Sequence, residues 1–157
     1  MNNKGFIIMG GTMLIVLLIL LFVNVSKLKV SYNDRYFYLD NDTFEIGWIH
    51  SVEKEPWYET YEMRNDSLFL NETRFKTFGA GTPSDGTIIP SNDGFVHMLI
   101  NQKMEDIHLF VSNNVKTTLY TEKSTIPLYE LVDDYETVTI EVKKIPLWEL
   151  LRGDGKW

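Results

Sequence analysis

The stretch that decides the fold is Phe44-Glu45-Ile46-Gly47-Trp48-Ile49-His50-Ser51-Val52. Successive side chains of a β-strand point to opposite faces, so residues two apart share a face. Apolar and aromatic side chains recur here at almost every second position. The alternation therefore predicts a strand with one buried face, and that face carries Phe44, Ile46, Trp48, His50 and Val52.

The same period of two continues through most of the chain after Ser26. Turn-forming residues such as Asp40-Asn41-Asp42 and Asn65-Asp66 separate the apolar runs. Short strands with frequent turn signals favour an all-β fold, either an antiparallel β-sandwich or a partly open β-barrel. The further predicted strands are 36–39, 57–64, 68–78, 95–100, 107–111, 116–120 and 137–142, with a short terminal helix over 147–151.

The first 26 residues have a different character, because no charge lies between Lys4 and Lys27 and most of the intervening residues are apolar. At about 1.5 Å per residue, roughly 20 helical residues cross a hydrocarbon core of about 30 Å. We therefore expect residues 1–26 to form an N-terminal transmembrane anchor that contacts the bilayer through residues 5–26. Residues 27–157 then form an extracytoplasmic β-domain on a single-pass protein of the cell membrane. A cleaved signal peptide is the alternative, but no A-x-A-like triplet follows the apolar run.

Composition excludes several classes of function. The chain has 15 basic and 22 acidic residues and a net charge of −7, which argues against binding to nucleic acid. It contains no cysteine, so disulfides, iron–sulfur clusters and thiolate zinc sites are excluded. His50, His97 and His108 lack the spacing of a zinc site. We predict no metal and no cofactor.

The most distinctive polar residue is His50, which falls on the apolar face with Trp48. A buried imidazole needs partners for its ring nitrogens, and Glu59 on the next strand is the candidate. His50 is then either a core histidine that fixes strand register or a ligand-binding or proton-handling group. Ser51 points to the opposite face and cannot pair with His50, so no catalytic residue is assigned.

A second unusual segment runs from Gly79 to Gly94, where turn-forming residues replace the alternating pattern. Loops of this length are usually functional or mobile. Gly79-Ala80-Gly81 lacks the third glycine of a dinucleotide fingerprint. Its backbone amides suit a small anion-binding nest, although a tight turn is the simpler interpretation. Glu53-Lys54-Glu55 is interpreted as a solvated turn.

Two blocks of sequence together resemble the bacterial domain-of-unknown-function 1850 family. They are Trp48-Ile49-His50-Ser51-Val52-Glu53-Lys54, with Glu59 downstream, and Thr73-Arg74-Phe75-Lys76-Thr77-Phe78-Gly79-Ala80-Gly81-Thr82-Pro83. The resemblance spans roughly residues 30–142. Thr82 occupies a position where the family pattern leads us to expect an apolar residue. The positions that match the family, and hence the candidate binding residues, include His50, Ser51, Glu59, Phe78, Gly79, Ala80, Gly81 and Pro83.

The resemblance implies a role in transport, because genes of this family often lie beside TRAP-type transporters of the TAXI class. These transporters import small solutes that are commonly carboxylates. We therefore expect a membrane-tethered accessory that binds a TRAP/TAXI permease or its solute-binding protein. One alternative is a small-ligand-binding β-domain, with Trp48, Trp57 and Tyr61 lining a barrel mouth. The other is an acid–base enzyme that uses His50 with Glu59.

Overall fold

The computed structural model describes the backbone of residues 3–151 and the side chains of residues 7–150. Three helices and eleven strands make up this part of the chain. The helices are α1 (Asn3–Phe22), α2 (Leu128–Leu131) and α3 (Leu147–Leu151). The strands are β1 (Asn24–Tyr32), β2 (Arg35–Leu39), β3 (Thr43–Ile49), β4 (Pro56–Arg64), β5 (Ser67–Phe75), β6 (Thr87–Ile89), β7 (Val96–Met104), β8 (Asp106–Phe110), β9 (Thr118–Tyr120), β10 (Thr125–Pro127) and β11 (Thr137–Pro146).

The strands form two antiparallel sheets that pack in a sandwich-like arrangement. The smaller sheet has the order β2-β1-β11-β8, and the larger has the order β10-β9-β3-β4-β5-β7-β6. Within the described residues neither sheet closes into a barrel. The all-β prediction is confirmed, and the sandwich describes the fold better than the barrel.

The core lies between the two sheets. Val30, Phe37 and Ile140 of the smaller sheet belong to one buried cluster with Ile46 and Leu119 of the larger sheet. Burying an aliphatic or aromatic side chain of this size contributes about 1.5–3 kcal/mol. Because no disulfide is available, this packing has to carry the stability of the fold.

Most predicted strands are confirmed with shifted ends, while β1, β6 and β10 were not predicted. In β1, buried Leu28 and Val30 alternate with Lys27 and Lys29. Lysines next to an apolar segment are also typical of the flank of a membrane anchor, so the alternation of buried and exposed residues in β1 was not recognised as a strand. β1 begins at Asn24, so its first residues fall within the segment 1–26 that we assigned to the anchor.

Helix α1 covers the region where a transmembrane anchor was expected. Within the described part of the chain, no helix is both long enough and apolar enough to span a bilayer. The structure therefore does not support the predicted transmembrane helix. Residues 5 and 6 of the predicted bilayer contact lie outside the residues whose side chains are described.

The predicted terminal helix is confirmed as α3. It follows β11 directly and contacts α1. The Tyr38 hydroxyl, on β2, donates a hydrogen bond of 2.8 Å to Glu149 Oε1 in α3. Burial is the main cause of a raised pKa for Tyr38, and the neighbouring Glu149 carboxyl adds to it. α3 is thereby attached to the smaller sheet.

Candidate functional site

One row of directly paired residues crosses the inner face of the larger sheet. Paired residues on adjacent strands share a face, so the register places six side chains together. In spatial order from β9 to β6 they are Leu119, Ile46, Glu59, Thr73, Met98 and Ile88. Glu59 is the one ionisable member of this row.

Glu59 accepts a hydrogen bond of 2.5 Å at Oε2 from the hydroxyl of Tyr61. Tyr61 is 3% exposed and stacks on Phe44, so this donor is fixed by the core. Burial raises the pKa of the Glu59 carboxyl, and the Tyr61 hydrogen bond only partly opposes that shift. The second oxygen, Oε1, receives no hydrogen bond from the described residues, and Glu59 lines a cavity.

Aromatic rings surround this carboxyl on the inner face. Trp48 and Trp57 face each other across β3 and β4, with ring centroids 5.8 Å apart. Trp57 also stacks on Phe75 at 4.8 Å and on the imidazole of His50 at 5.5 Å. Its indole nitrogen donates a hydrogen bond of 2.8 Å to buried Thr73. The Trp57 donor is therefore satisfied within the protein.

These side chains line a cavity of about 550 Å³ between the larger sheet and strand β8 of the smaller sheet. β8 pairs with β11 alone, so within the described residues it forms the edge of its sheet. The sandwich is open along this edge, which accounts for the cavity. The lining residues are Trp48, His50, Ser51, Trp57, Glu59, Tyr61, Ala80, Gly81, Met104, Asp106, Ile107, His108, Leu109, Phe110, Val115 and Thr117.

His50 lies at the rim of the cavity, in the turn between β3 and β4. This turn is closed by two backbone hydrogen bonds, from His50 N to the Glu55 carbonyl at 2.8 Å and from Lys54 N to the His50 carbonyl at 3.0 Å. Nδ1 of His50 pairs with the carboxylate of Glu53. The expected pairing of His50 with Glu59 is therefore wrong, because Glu53 is closer along the turn and Glu59 bonds to Tyr61.

Glu53 also holds the glycine-containing loop. Its Oε1 accepts a hydrogen bond of 3.0 Å from the amide of Ala80, and this bond is the main cause of a lowered pKa for Glu53. Gly79 allows the approach, since a Cβ there would collide with the Glu53 carboxylate. The anion bound by this loop is therefore the Glu53 carboxylate of the chain itself. The prediction that Glu53 belongs to a merely solvated turn is wrong.

The candidate residues of the sequence divide into two groups. His50, Ser51, Glu59, Ala80 and Gly81 line the cavity together. The other three lie outside its lining. Phe78 is 59% exposed and packs edge-on against Phe75, Gly79 contacts Glu53, and Pro83 lies further along the loop.

Two contributors to the site were missed by the sequence analysis. Glu53 stands three residues after His50, a spacing that a tight turn brings into contact, so a signal was available. Ile107 and Leu109 of β8 line the opposite wall, and nothing in the sequence indicated which strand lies at the sheet edge. Across the described residues, no group of three or more histidine and carboxylate side chains is arranged to hold a metal ion.

Comparison with known proteins identifies the family. Neither a curated protein nor a solved structure matches the chain. A family model described as "Domain of unknown function (DUF1850)" matches residues 44–128, which is more than half of the chain and includes β3, the glycine-containing loop and β8. The resemblance carried by the two sequence blocks is confirmed, and the chain belongs to the DUF1850 family.

Proposed function

We propose that this domain binds a small organic ligand in the cavity between its two sheets. Ligand sites are typically concave, about 300–1,000 Å³ in volume and mainly apolar, with a few polar groups that orient the ligand. The cavity of about 550 Å³ has this size and combines aromatic and aliphatic walls with few polar groups. Its mouth is bordered by Ala80 and Gly81, which belong to the loop that Glu53 holds.

The single observation that carries the proposal is the placement of Glu59. A half-buried carboxyl with one unpartnered oxygen in an apolar row costs stability unless something else repays it. Core packing gives no reason for an ionisable group between Ile46 and Thr73, which are both fully buried. A ligand that hydrogen-bonds to Oε1 supplies that reason.

The proposal is tested with the full chain, purified in a mild non-ionic detergent. Native mass spectrometry and a thermal-shift screen of small metabolites detect the ligand. The variant Ala80→Trp places a large ring at the cavity mouth and is expected to weaken binding at least tenfold. Ser84→Trp, in the same loop but outside the cavity lining, is the matched control and should bind normally. Equal binding by both variants would place the ligand elsewhere.

A second candidate function is the accessory role in a TRAP/TAXI-type solute transport system, with a permease or solute-binding protein as partner and α1 as a tether at the cell membrane. A protein-binding surface is favoured by the exposed apolar residues at the β6 edge of the larger sheet. Ile88 on β6 is 56% exposed although it shares the inner face with buried Met98, and Phe78, three residues after the end of β5, is also exposed. Confinement of both proteins to one membrane would raise their effective concentration.

This role is tested by crosslinking and affinity purification from solubilised membranes. Ile88→Asp should abolish recovery of the permease or its solute-binding protein. Thr87→Asp, its neighbour on the opposite face of β6, is the control that should leave recovery unchanged. Recovery of the transporter components that is equal for both variants, or absent with the unaltered chain, would contradict the accessory role.

A further inference from the structure

The polar inventory of the cavity favours one class of ligand. Trp57 already uses its indole N–H on Thr73, and Tyr61 uses its hydroxyl hydrogen on Glu59. His50 is engaged by Glu53. Glu59 Oε1, which is an acceptor, receives no hydrogen bond from the described residues, and it is the charged group in the apolar row of the inner face. A complementary ligand must therefore bring a hydrogen-bond donor or a positive charge.

The charge of the lining supports the same conclusion. No lysine and no arginine occurs among the residues that line the cavity. Its two histidines already face carboxylates, His50 that of Glu53 and His108 that of Asp106 at 3.3 Å, so Glu59 is the lining acid without a cationic partner among the described residues. The whole chain carries a net charge of −7. A carboxylate ligand would meet Glu59 without a cation to neutralise either group, and bringing two like charges together at a partly buried site is unfavourable.

The aromatic walls add an attractive contribution for a cation. The faces of tryptophan rings attract ammonium groups, more strongly where the site is partly desolvated. Trp48 and Trp57 lie two residue pairs along from Ile46 and Glu59 in the β3–β4 register, and are the next pair on the same face of the sheet. The faces of Trp57 are covered by Trp48, His50 and Phe75, so partly exposed Trp48 is the indole that an ammonium group bonded to Glu59 Oε1 would meet.

We propose that the cavity takes an organic cation, a primary or alkylated ammonium compound, whose charge pairs with Glu59 and lies against Trp48. This inference rests on the proposed ligand-binding function and specifies its ligand class. It runs against the carboxylate solutes that the family resemblance implied. It also accounts for an acidic group held in an aromatic setting, because the cation offsets the cost of burying the carboxylate.

The experiment uses three probes of similar size with the full chain in non-ionic detergent, measured by isothermal titration calorimetry. The probes are choline, its uncharged carbon analogue 3,3-dimethylbutan-1-ol, and succinate. Choline should bind at least tenfold more tightly than the neutral analogue, and succinate should not bind. Equal binding of choline and its analogue, or tighter binding of succinate, overturns the cation assignment but leaves the ligand-binding proposal standing. Binding of none of the three overturns both proposals.

Variants assign the preference to particular residues. Glu59→Gln should reduce the preference for choline over its neutral analogue to less than twofold. Trp48→Leu should reduce the preference for choline severalfold, because it removes the aromatic ring but leaves the carboxylate in place. Glu136→Gln, an exposed glutamate away from the cavity, removes the same charge and should retain the full preference. A preference that persists in Glu59→Gln contradicts the proposal.

The same ammonium chemistry occurs on lipid head groups. Dihexanoyl phosphatidylcholine, added as monomers, separates the two sources. Affinity above that of choline would identify a head group as the ligand, and affinity equal to or below it would identify a free cation. Both results support an ammonium site, and they differ in the source of the ligand.

Discussion

The acidic residues on the two faces of the larger sheet differ in whether a cationic side chain lies beside them. On the outer face, Glu45 receives Arg74 Nη2 at 2.7 and 2.6 Å, and Glu72 contacts His97 Nδ1 at 2.5 Å. On the inner face, Glu59 has only the hydroxyl of Tyr61 and no cation. The outer acids are balanced by neighbouring strands, which is a structural arrangement. The inner acid lacks such a balance, which is typical of a functional group.

The largest expected effect comes from removing the packing that positions the inner face. Phe75→Ala should destabilise the fold by about 3–5 kcal/mol, because a fully buried ring is replaced by a cavity. Phe75 is 1% exposed and stacks on Trp57. Urea unfolding monitored by tryptophan fluorescence measures the change. A loss below about 1 kcal/mol would show that the inner face does not depend on this aromatic stack.

The second-largest expected effect is a stabilisation of the fold. Glu59→Gln removes a desolvated charge and keeps an acceptor for Tyr61, so it should stabilise the protein by about 1–2 kcal/mol at neutral pH. Burial raises the pKa of Glu59 above its ordinary value of 4.5. The wild type therefore loses stability relative to the variant as the pH rises from 4.5 through the folded-state pKa.

Urea unfolding of both proteins at pH 4 and pH 8 checks this expectation. The stabilisation by Glu59→Gln should be present at pH 8 and small at pH 4. The outer-face variant Glu45→Gln is the comparison, and it should destabilise by less than about 1 kcal/mol, because it weakens a half-exposed ion pair. If Glu59→Gln were destabilising at pH 8, the inner acid would be structural like the outer ones.

A smaller effect is expected at the loop that Glu53 holds. Gly79→Ala should displace the Glu53 carboxylate and weaken its bond to the Ala80 amide, at a much smaller cost in stability than that of Phe75→Ala. The His50 ring resonances in an NMR spectrum should shift, because His50 pairs with Glu53. Ser84→Ala, in the same loop, is the control. Unchanged His50 resonances in Gly79→Ala would disconnect the loop from the histidine.

How much of the two faces could be predicted from the sequence depends on how far apart in the chain the contacting residues lie. The alternation in 44–52 predicted β3 and the inner face that carries Phe44, Ile46 and Trp48, but the strand ends at Ile49 and Val52 is exposed in the following turn. Asn65-Asp66, both at positive φ, form the predicted hairpin turn. Local spacing also placed Glu59 on a strand next to His50. The partner of Glu59 depended on Tyr61 two residues away, which competes with His50 for the same carboxylate. The sequence pattern predicts which face of a strand a side chain occupies, whereas its hydrogen-bond partner depends on how the folded chain packs.

The wall formed by β8 was not predictable for a related reason. Ile107 pairs with Ile140, so its position follows from an association with β11 more than 30 residues later in the chain. Many strand orders satisfy the same alternation. The cavity exists because β8 lies at an edge, and this edge position depends on the whole order of the smaller sheet.

The smallest predicted effect concerns His97, which bridges Glu72 at 2.5 Å and Asp93 at 2.9 Å on the outer side of the larger sheet. The hydrogen bond to Asp93 is the main cause of a raised pKa for His97, and the same bond lowers the pKa of Asp93. A raised histidine pKa contributes stability below the ordinary value of 6.5, and this contribution is lost as the pH rises through the folded-state pKa. The lowered Asp93 pKa contributes stability above 3.8, lost as the pH falls.

His97→Gln should therefore cost most at about pH 5.5, by less than about 1 kcal/mol, and less at pH 9. Because both pKa values are raised, each variant should gain stability relative to the wild type as the pH rises, but Glu59→Gln should be stabilising above pH 4.5, whereas His97→Gln should be destabilising and should approach the wild type above pH 6.5. Measuring both variants by urea unfolding across the same pH range separates the two faces in one experiment. A destabilising Glu59→Gln or a stabilising His97→Gln would contradict the distinction, because removing an acid without a cationic partner relieves a cost, whereas removing the histidine between two carboxylates leaves both of them without their partner.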